Sequence, residues 1–337
     1  MTVLNTISFE DATDLIEREF DAGKLAPINN AMKESGVVVV NTVPSGTWKT
    51  RRHKEKPVGE QYATYKVEGW LSTKTVVQQG YYKDTTSTTY SKAIDITLEM
   101  RELDKTGVYD SVNFIGNALP SREDLNLSLF ISFGTATTYT DQDGQTVTIS
   151  TWDGLAPFST VHTLTGSATT YRARVANNPS FSEGALELAE DVLRTNTYNN
   201  LGEQVTCAAD TILTTDYPTL VNSVRRVIQS SAQISAPNAG VVNVYEGRYT
   251  HKILPRIDMT AAASKDSAKK NYWLLVDSKI TSFFHDIYKA PEMYYPSKGN
   301  NGEDIETLNW TFNSVAMHDS CWVSARGVVF SSWDGTA

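Results

Sequence analysis

Two capped amphipathic helices, set among β-rich segments, most constrain how this chain can fold. Residues 182–195 (SEGALELAEDVLRT) begin at Ser182, carry apolar side chains at helical spacing and line the opposite face with acids. Residues 216–231 (DYPTLVNSVRRVIQSS) place Pro218 in the first turn and two arginines toward the favourable C-terminal end. The β-rich segments around them do not alternate with helices as βαβ units would. The chain is therefore predicted to be an α+β protein.

A third helix is predicted near the N-terminus, over residues 8–22. Ser8 and Asp11 form a start resembling a capping box, Gly23 is a natural stop, and Pro27 blocks resumption. Four apolar residues recur at helical spacing, namely Phe9, Ala12, Ile16 and Phe20. The other face is nearly all acidic, so this helix is expected to lie against another surface rather than inside a core. Residues 37–40, a β-branched run, predict a short strand.

Residues 121–134 fit two patterns. Leu125, Leu129 and Phe133 are spaced as on one face of a helix that ends at Gly134. The same segment also alternates apolar residues as a half-buried strand would, and Pro120 interrupts any longer helix. Downstream, Asp141 to Gly144 is similar to the start of a calcium loop, but the glycine comes too early and the closing glutamate is missing. A hairpin turn is preferred there.

The concentrated basic segment of the chain is WKTRRHKEKP, around residues 49–56. It predicts either a solvated loop or a contact with an acidic partner, for which a second copy of this chain is preferred. After it, residues 61–83 are rich in Tyr, Val and Thr, with a bend at Gly69-Trp70, and predict a long two-stranded ribbon. The ribbon is too polar for a core hairpin, and an isolated ribbon is marginal in water, so it is expected to need a partner surface.

Charge and cysteine content exclude several classes of protein. The 337 residues carry a formal net charge of −9, which argues against wrapping nucleic acid with the whole surface. Cys207 and Cys321 are too few for a disulfide framework or a zinc knuckle. The acidic N-terminus lacks the pattern of a signal peptide, and no apolar run is long enough for a membrane span.

One stretch, WDGLAPFSTVHTL, places Asp153, Ser159 and His162 within ten residues, the side-chain types of a serine hydrolase. The serine lacks the small neighbours of a nucleophile elbow, and the members of a true triad usually meet from distant positions. A turn at Asp153 with local hydrogen bonds is the expected role, and a hydrolase using Ser159 is a remote alternative. No metal-ligand pairing of histidines and no phosphate-binding glycine motif occurs. We therefore predict no catalytic, cofactor or metal residue, and no enzyme.

Four stretches, in order, carry a family resemblance. DGLAPFSTVHTL resembles a motif in the major head subunits of Mu-like tailed phages. The helix-strand-helix region from residue 180, the segment APNAGVVNVYEGRYTHKILPRID, and the closing strands NYWLLVDS and WVSARGVVFSSWDG look like the next parts of such a subunit. The resemblance covers roughly residues 55–335 and implies a tailed-phage major capsid protein of the Hong Kong 97-like fold.

That resemblance implies five regions: an N-terminal arm (1–56), an extended β-ribbon loop (57–92), a peripheral domain with a spine helix and an insertion (93–204), an axial domain (205–300), and C-terminal strands returning to the peripheral domain (301–337). It also implies hexamers and pentamers in an icosahedral shell around double-stranded phage DNA, touched loosely, with assembly in the bacterial cytoplasm. A scaffolding protein, a portal and a decoration protein are the further partners expected, and no membrane. A tail-tube subunit is the alternative.

The candidate subunit contacts follow from the ribbon, the basic segment and the N-terminal helix. They are Arg51, Arg52, Lys54, Lys56, Tyr65, Trp70, Tyr81, Tyr82, Phe9, Ile16 and Phe20.

Overall fold

The structure, a computed structural model, describes residues 8–44, 50–55, 62–63, 65–72, 74, 77, 80–103, 105–231, 242–295 and 308–333. Its helices are α1 (Phe9–Leu25), α2 (Pro27–Asn30), α3 (Leu98–Leu103), α4 (Lys105–Ser132), α5 (Glu183–Thr195) and α6 (Pro218–Gln229). Its strands are β1 (Val38–Thr42), β2 (Thr50–Lys54), β3 (Tyr82–Thr86), β4 (Thr88–Ile96), β5 (Thr138–Thr140), β6 (Thr146–Thr148), β7 (Thr211–Thr214), β8 (Thr250–Ile253), β9 (Trp273–Val276), β10 (Ser282–Tyr294), β11 (Trp310–Ser324) and β12 (Val328–Ser331). The predicted α+β class is confirmed.

Two four-stranded sheets organise these elements. The first has the strand order β1-β10-β11-β4, and the second has the order β12-β9-β7-β8. Each sheet mixes antiparallel pairs with one parallel edge pair, β1 with β10 and β7 with β8. Two separate hairpins, β2-β3 and β5-β6, complete the described strands.

The main core lies between the sheets and α4. It joins Leu127 and Ile131 of α4, Leu274 of the second sheet, and Phe283 and Trp322 of the first in one buried cluster. A second cluster packs α5 and α6 against the other face of the second sheet, whose strand β9 (WLLV) is buried on both sides. The capped starts of both helices are as predicted: Ser182 caps α5, and Pro218 opens α6.

The length of α4 corrects the sequence prediction. The helix spans 28 residues and passes through Pro120, rather than starting after it. From Leu119 to Ser132 almost every side chain is buried. A helix that is covered all round has no polar face, so its sequence need not show a helical stripe. This burial explains why the segment also fitted a strand, and that alternative is wrong.

The N-terminal helix α1 packs along α4. Its predicted start is confirmed, since Ser8 Oγ accepts a hydrogen bond from the Asp11 backbone N–H at 3.1 Å. Its predicted end is wrong, because Gly23 lies inside the helix. A Cβ atom at Gly23 would lie 2.5 Å from the carbonyl carbon of Gly116 in α4, so glycine is needed for the two backbones to approach.

The apolar stripe of α1 is covered by the chain itself. Phe9, Ile16 and Phe20 are all buried, and Phe9 contacts Trp310 and Phe312 with ring centroids 5.3 and 6.0 Å apart. These three residues were predicted as subunit contacts, but within this chain their side chains are not exposed to a neighbouring copy. The reason is that α4 and β11 already cover the surface that the stripe requires.

Two turns predicted from the sequence have different outcomes in the structure. The hairpin at Asp141–Gly144 is confirmed, with Gly144 at φ 77°. The predicted fold-back at His318-Asp319 is wrong, because β11 runs unbroken through both residues and the chain turns only at residues 325–327. Sheet membership also differs from the predicted regions, since β10 joins the first sheet and β12 joins the second.

Candidate assembly surface

The basic segment forms a strand rather than a loop. β2 pairs antiparallel with β3, so that Arg52 lies opposite Asp84 and Lys54 opposite Tyr82. Arg52 makes a two-pronged pair with the Asp84 carboxylate at 2.8 and 2.9 Å, and its guanidinium lies 4.0 Å from the centre of the Tyr82 ring. The pair raises the pKa of Arg52 and lowers that of Asp84.

The strand β10 holds this hairpin through one of its faces. Phe284, Asp286 and Tyr288 alternate along β10 and therefore point the same way. Phe284 stacks on His53 with centroids 4.3 Å apart, and the Tyr288 hydroxyl donates to the Thr85 carbonyl at 3.0 Å. The three side chains join the hairpin to the first sheet.

Asp286 is the centre of this contact and is completely buried. Arg51 Nη1 lies 3.4 Å from its Oδ1, while His53 Nε2 and Thr85 Oγ1 each lie 2.5 Å from its Oδ2. Burial by itself raises the pKa of a carboxyl group, but here the hydrogen bonds from His53 and Thr85, together with the positive charge of Arg51, lower the pKa of Asp286. The carboxylate therefore stays charged and binds donors from both strands.

A second buried cluster holds the end of β2. Glu55 pairs with Arg326, and Asn200 completes the ring by donating to Glu55 Oε2 and accepting from Arg326 Nη2, both at 2.8 Å. Burial lowers the pKa of Arg326 to about 10, and its guanidinium lies 5.4 Å from the centre of the Tyr171 ring. Glu55 and Arg326 are 271 positions apart, so no local sequence signal could have shown this cluster.

Between Glu55 and Gly80 lies the connecting segment, of which residues 62–63, 65–72, 74, 77 and 80 are described. None of these described residues is in a strand, so they do not form the two-stranded ribbon predicted over residues 61–83; the pairing that the structure describes here is that of β2 with β3. The predicted bend is confirmed: Gly69 has φ +81°, and the Trp70 N–H donates to the Val67 carbonyl at 3.1 Å. The side chains of Tyr65, Trp70 and Leu71 are 90%, 74% and 97% exposed.

The predicted contact residues thus divide into three groups. Tyr65, Trp70, Tyr82 and Lys54 are exposed, whereas Tyr81 is half-buried and stacks on Trp152. The guanidinium groups of Arg51 and Arg52 are paired within the chain, with Asp286 and Asp84, and both side chains are partly exposed. Lys56 lies outside the described residues.

The Asp153, Ser159 and His162 constellation is not a triad. His162 Nδ1 lies 2.9 Å from Asp153 Oδ2, but Nε2 faces the Pro157 carbonyl oxygen at 3.1 Å, not Ser159. Ser159 Oγ instead donates to the Val161 carbonyl at 3.0 Å and accepts from its N–H at 3.2 Å. Burial alone would raise the pKa of Asp153, but the hydrogen bonds from His162 and Thr151 lower it. The expected structural role is confirmed in this geometry.

The described part of the chain offers neither a metal site nor a membrane-spanning helix. No group of three or more His, Cys, Asp and Glu side chains there is placed to hold a metal ion. Among the helices that the structure describes, none has the length and apolarity for a membrane span. Large apolar side chains are exposed in the connecting segment and also elsewhere in the described chain, at Leu25, Val242 and Val244.

Comparison with solved structures finds phage proteins. A chain from Gordonia phage Cozz has a TM-score of 0.49 at 10% identity, covering 87% of this chain and 84% of that one. The capsid of Myoviridae phage XM1 gives 0.47 at 13%, covering 89% and 90%. The capsid of cyanophage P-SCSP1u gives 0.48 at 14%, covering 87% and 85%. Neither a model of a known protein family nor a curated protein sequence matches the chain.

Proposed function

We propose that this chain is a major capsid protein of a tailed bacteriophage, of the Hong Kong 97-like fold and nearest to the Mu-like head subunits. In this proposal it assembles as hexamers and pentamers into an icosahedral shell that encloses double-stranded DNA. The four ordered sequence motifs support this family, and the chain has a long helix and two mixed sheets, as the proposal requires. α4 would be the spine helix, and the second sheet with α5 and α6 would belong to the axial domain.

The observation that carries the proposal is the connecting segment. Trp70 and Leu71 expose large apolar side chains beside Tyr65, and no part of the described chain covers them. Clustered exposed apolar side chains of this size mark a protein contact, and Trp and Tyr are over-represented among residues that dominate binding energy. The base of the segment is held by two buried ionic clusters, so the connecting segment starts from a fixed position on the body of the subunit. In this arrangement the connecting segment can lie on the surface of a neighbouring copy.

Each such contact can be weak. A millimolar dissociation constant is worth only about 4 kcal/mol, but several contacts per subunit act together through effective concentration. The same chain can then occupy pentamers and hexamers, because a contact made by a limb tolerates small changes of angle. Self-association is therefore the mechanism proposed, and no catalytic step is part of it.

The charge of the chain supports loose contact with DNA. A net charge of −9 gives little attraction for phosphate, so the genome would be enclosed without tight binding. A scaffolding protein, a portal and a decoration protein are further partners in this proposal, which places assembly in the bacterial cytoplasm and the mature protein in the virion.

Electron microscopy and sedimentation of the expressed chain, with and without its scaffolding factor, test the proposal. Closed polyhedral shells are expected; tubes would favour the tail-tube alternative, and a strictly monomeric chain would refute self-assembly. The contact surface is tested by the double variant Trp70→Ser/Leu71→Ser, expected to weaken association by roughly tenfold or more. Its matched control is Val161→Ser/Leu188→Ser, which changes two apolar residues of 48% and 52% exposure elsewhere. Equal assembly of both variants would exclude the connecting segment as a contact.

A further inference from the structure

The hairpin β2-β3 touches the first sheet mainly through polar groups. Its two strands place Arg51, His53 and Thr85 around the single carboxylate of Asp286. The neighbouring strand of the sheet adds a second acceptor, because Asp319 Oδ2 accepts from the backbone N–H of Thr86 at 2.7 Å. One buried carboxylate thus binds both strands of the hairpin to the sheet.

The opposite face of β10 is occupied by the main core. His285 bonds to Glu123 of α4 at 2.8 Å, and the rings of Phe283 and Phe130 have centroids 5.5 Å apart. Because α4 packs against this face, β10 is held in place independently of the hairpin. A change at Asp286 can therefore loosen the hairpin while the strand that carries Asp286 remains in place.

From this geometry we infer that Asp286 is a positioning residue, which sets the direction in which the connecting segment leaves the body of the subunit. The inference rests on the proposed function, since the direction matters because the segment has to reach a neighbouring copy. Glu55, held by Arg326 and Asn200, fixes the end of β2 at a second point. These two points, together with the Tyr288–Thr85 and Asp319–Thr86 hydrogen bonds, restrict rotation of the hairpin against the sheet.

The role requires a carboxylate rather than a residue of similar shape. Three donors approach Asp286, and an ionised carboxylate accepts at both of its oxygens. In Asp286→Asn one oxygen would be replaced by an NH2 group, which is itself a donor and would face another donor. The substitution therefore weakens at least one of the three contacts and removes the charge that attracts Arg51, with almost no change in volume.

A matched control is present in the same hairpin. Asp84 also binds an arginine, but its partner Arg52 belongs to the hairpin itself, and the pair is largely exposed to solvent. Asp84→Asn therefore removes a carboxylate of the same kind without separating the hairpin from the sheet. The two variants are to be compared with the wild type as unassembled chains.

Amide hydrogen exchange gives the first readout. Asp286→Asn should speed exchange in residues 50–54 and 82–86 by roughly tenfold or more, with little change in β10 and β11 away from the substituted residue. Asp84→Asn should change neither region comparably. Equal effects of the two variants, or a uniform rise over the whole chain, would overturn the inference, since a general loss of stability predicts the latter.

Spin labels give a second readout, on direction. Labels at Lys54→Cys and Glu187→Cys, both at exposed positions, report the orientation of the hairpin against α5, and the native cysteines are buried. The distance distribution should shift or broaden in Asp286→Asn and stay as in the wild type in Asp84→Asn. An unchanged distribution in Asp286→Asn would contradict the positioning role. Both readouts use the unassembled chain, so they remain interpretable even if the wild type forms no shells.

Discussion

The contact between Gly23 and Gly116 predicts that Gly23→Ala lowers the free energy of unfolding, although helix propensity alone predicts that it raises it. A Cβ atom added at Gly23 would lie 2.5 Å from the Gly116 carbonyl carbon and closer still to its oxygen. Both obstacles are backbone atoms, so no side chain can rotate away, and α1 has to move off α4. Alanine in place of glycine otherwise stabilises a helix by about 1 kcal/mol.

The cost can be worked from the side chains on the contact. Ile16 and Phe20, both buried beside Gly23, contribute together about 3–6 kcal/mol of burial. A gap of up to about 1 Å forfeits a quarter to a half of their packing, or roughly 1–3 kcal/mol. After the propensity gain of about 1 kcal/mol is subtracted, Gly23→Ala should lower the free energy of unfolding by about 0–2 kcal/mol relative to the wild type.

Gly184→Ala is the control, because it lies in α5 with nothing within 4 Å of an added Cβ. It should raise the free energy of unfolding by up to about 1 kcal/mol. Urea unfolding of the unassembled chain, followed by far-ultraviolet circular dichroism, measures both changes. If Gly23→Ala proves as stable as Gly184→Ala, the close approach of α1 and α4 is refuted.

Two further predictions concern the buried carboxylates Glu123 and Asp153 and their hydrogen-bond partners. Burial alone would raise the pKa of Glu123, but its hydrogen bond to His285 and the neighbouring positive charge lower it to about 2. The stability that this carboxylate contributes, about 3 kcal/mol, is therefore complete above its unfolded pKa near 4.5 and lost as the pH falls toward 2. Urea midpoints between pH 5 and roughly pH 2.5 should fall less steeply in Glu123→Gln, and an unchanged slope would contradict the assignment. Separately, His162→Ala removes one hydrogen-bond partner of the buried Asp153 carboxylate, which keeps its bonds to Thr151 and to the Leu155 N–H, and should cost about 1–3 kcal/mol, whereas Ser159→Ala should cost under about 1 kcal/mol and change no ester turnover. Ester hydrolysis that disappears in Ser159→Ala would revive the hydrolase alternative.

Helices with one exposed face were predictable from the sequence, and the buried helix was not. α5 and α6 show their caps and their apolar faces directly, because water on one side imposes a polar face. α4 lacks that contrast over its C-terminal half, so its pattern could not distinguish helix from strand. Its passage through Pro120 is compensated by burial that only the assembled core provides.

The anchors of the hairpin were beyond local reasoning for a different reason. Asp286 and Arg51 are separated by 235 positions, and a charged residue alone gives no sign of its partner. The basic segment could therefore be recognised but not assigned, and its arginines bind the chain's own acids. Tyr65 and Trp70, predicted as contact residues, are exposed in this chain, since a polar, aromatic segment with a bend has little reason to enter a core.

The three residues that join β11 to β12 have a mechanical consequence. Ala325, Arg326 and Gly327 pass the chain directly from one four-stranded sheet to the other, with Gly327 at φ 79°. Because this connection is only three residues long and both sheets share one core, it gives the two sheets no hinge. If copies of this chain meet at different dihedral angles around a closed surface, the change of angle has to be taken up by the connecting segment and not by the two sheets and their shared core.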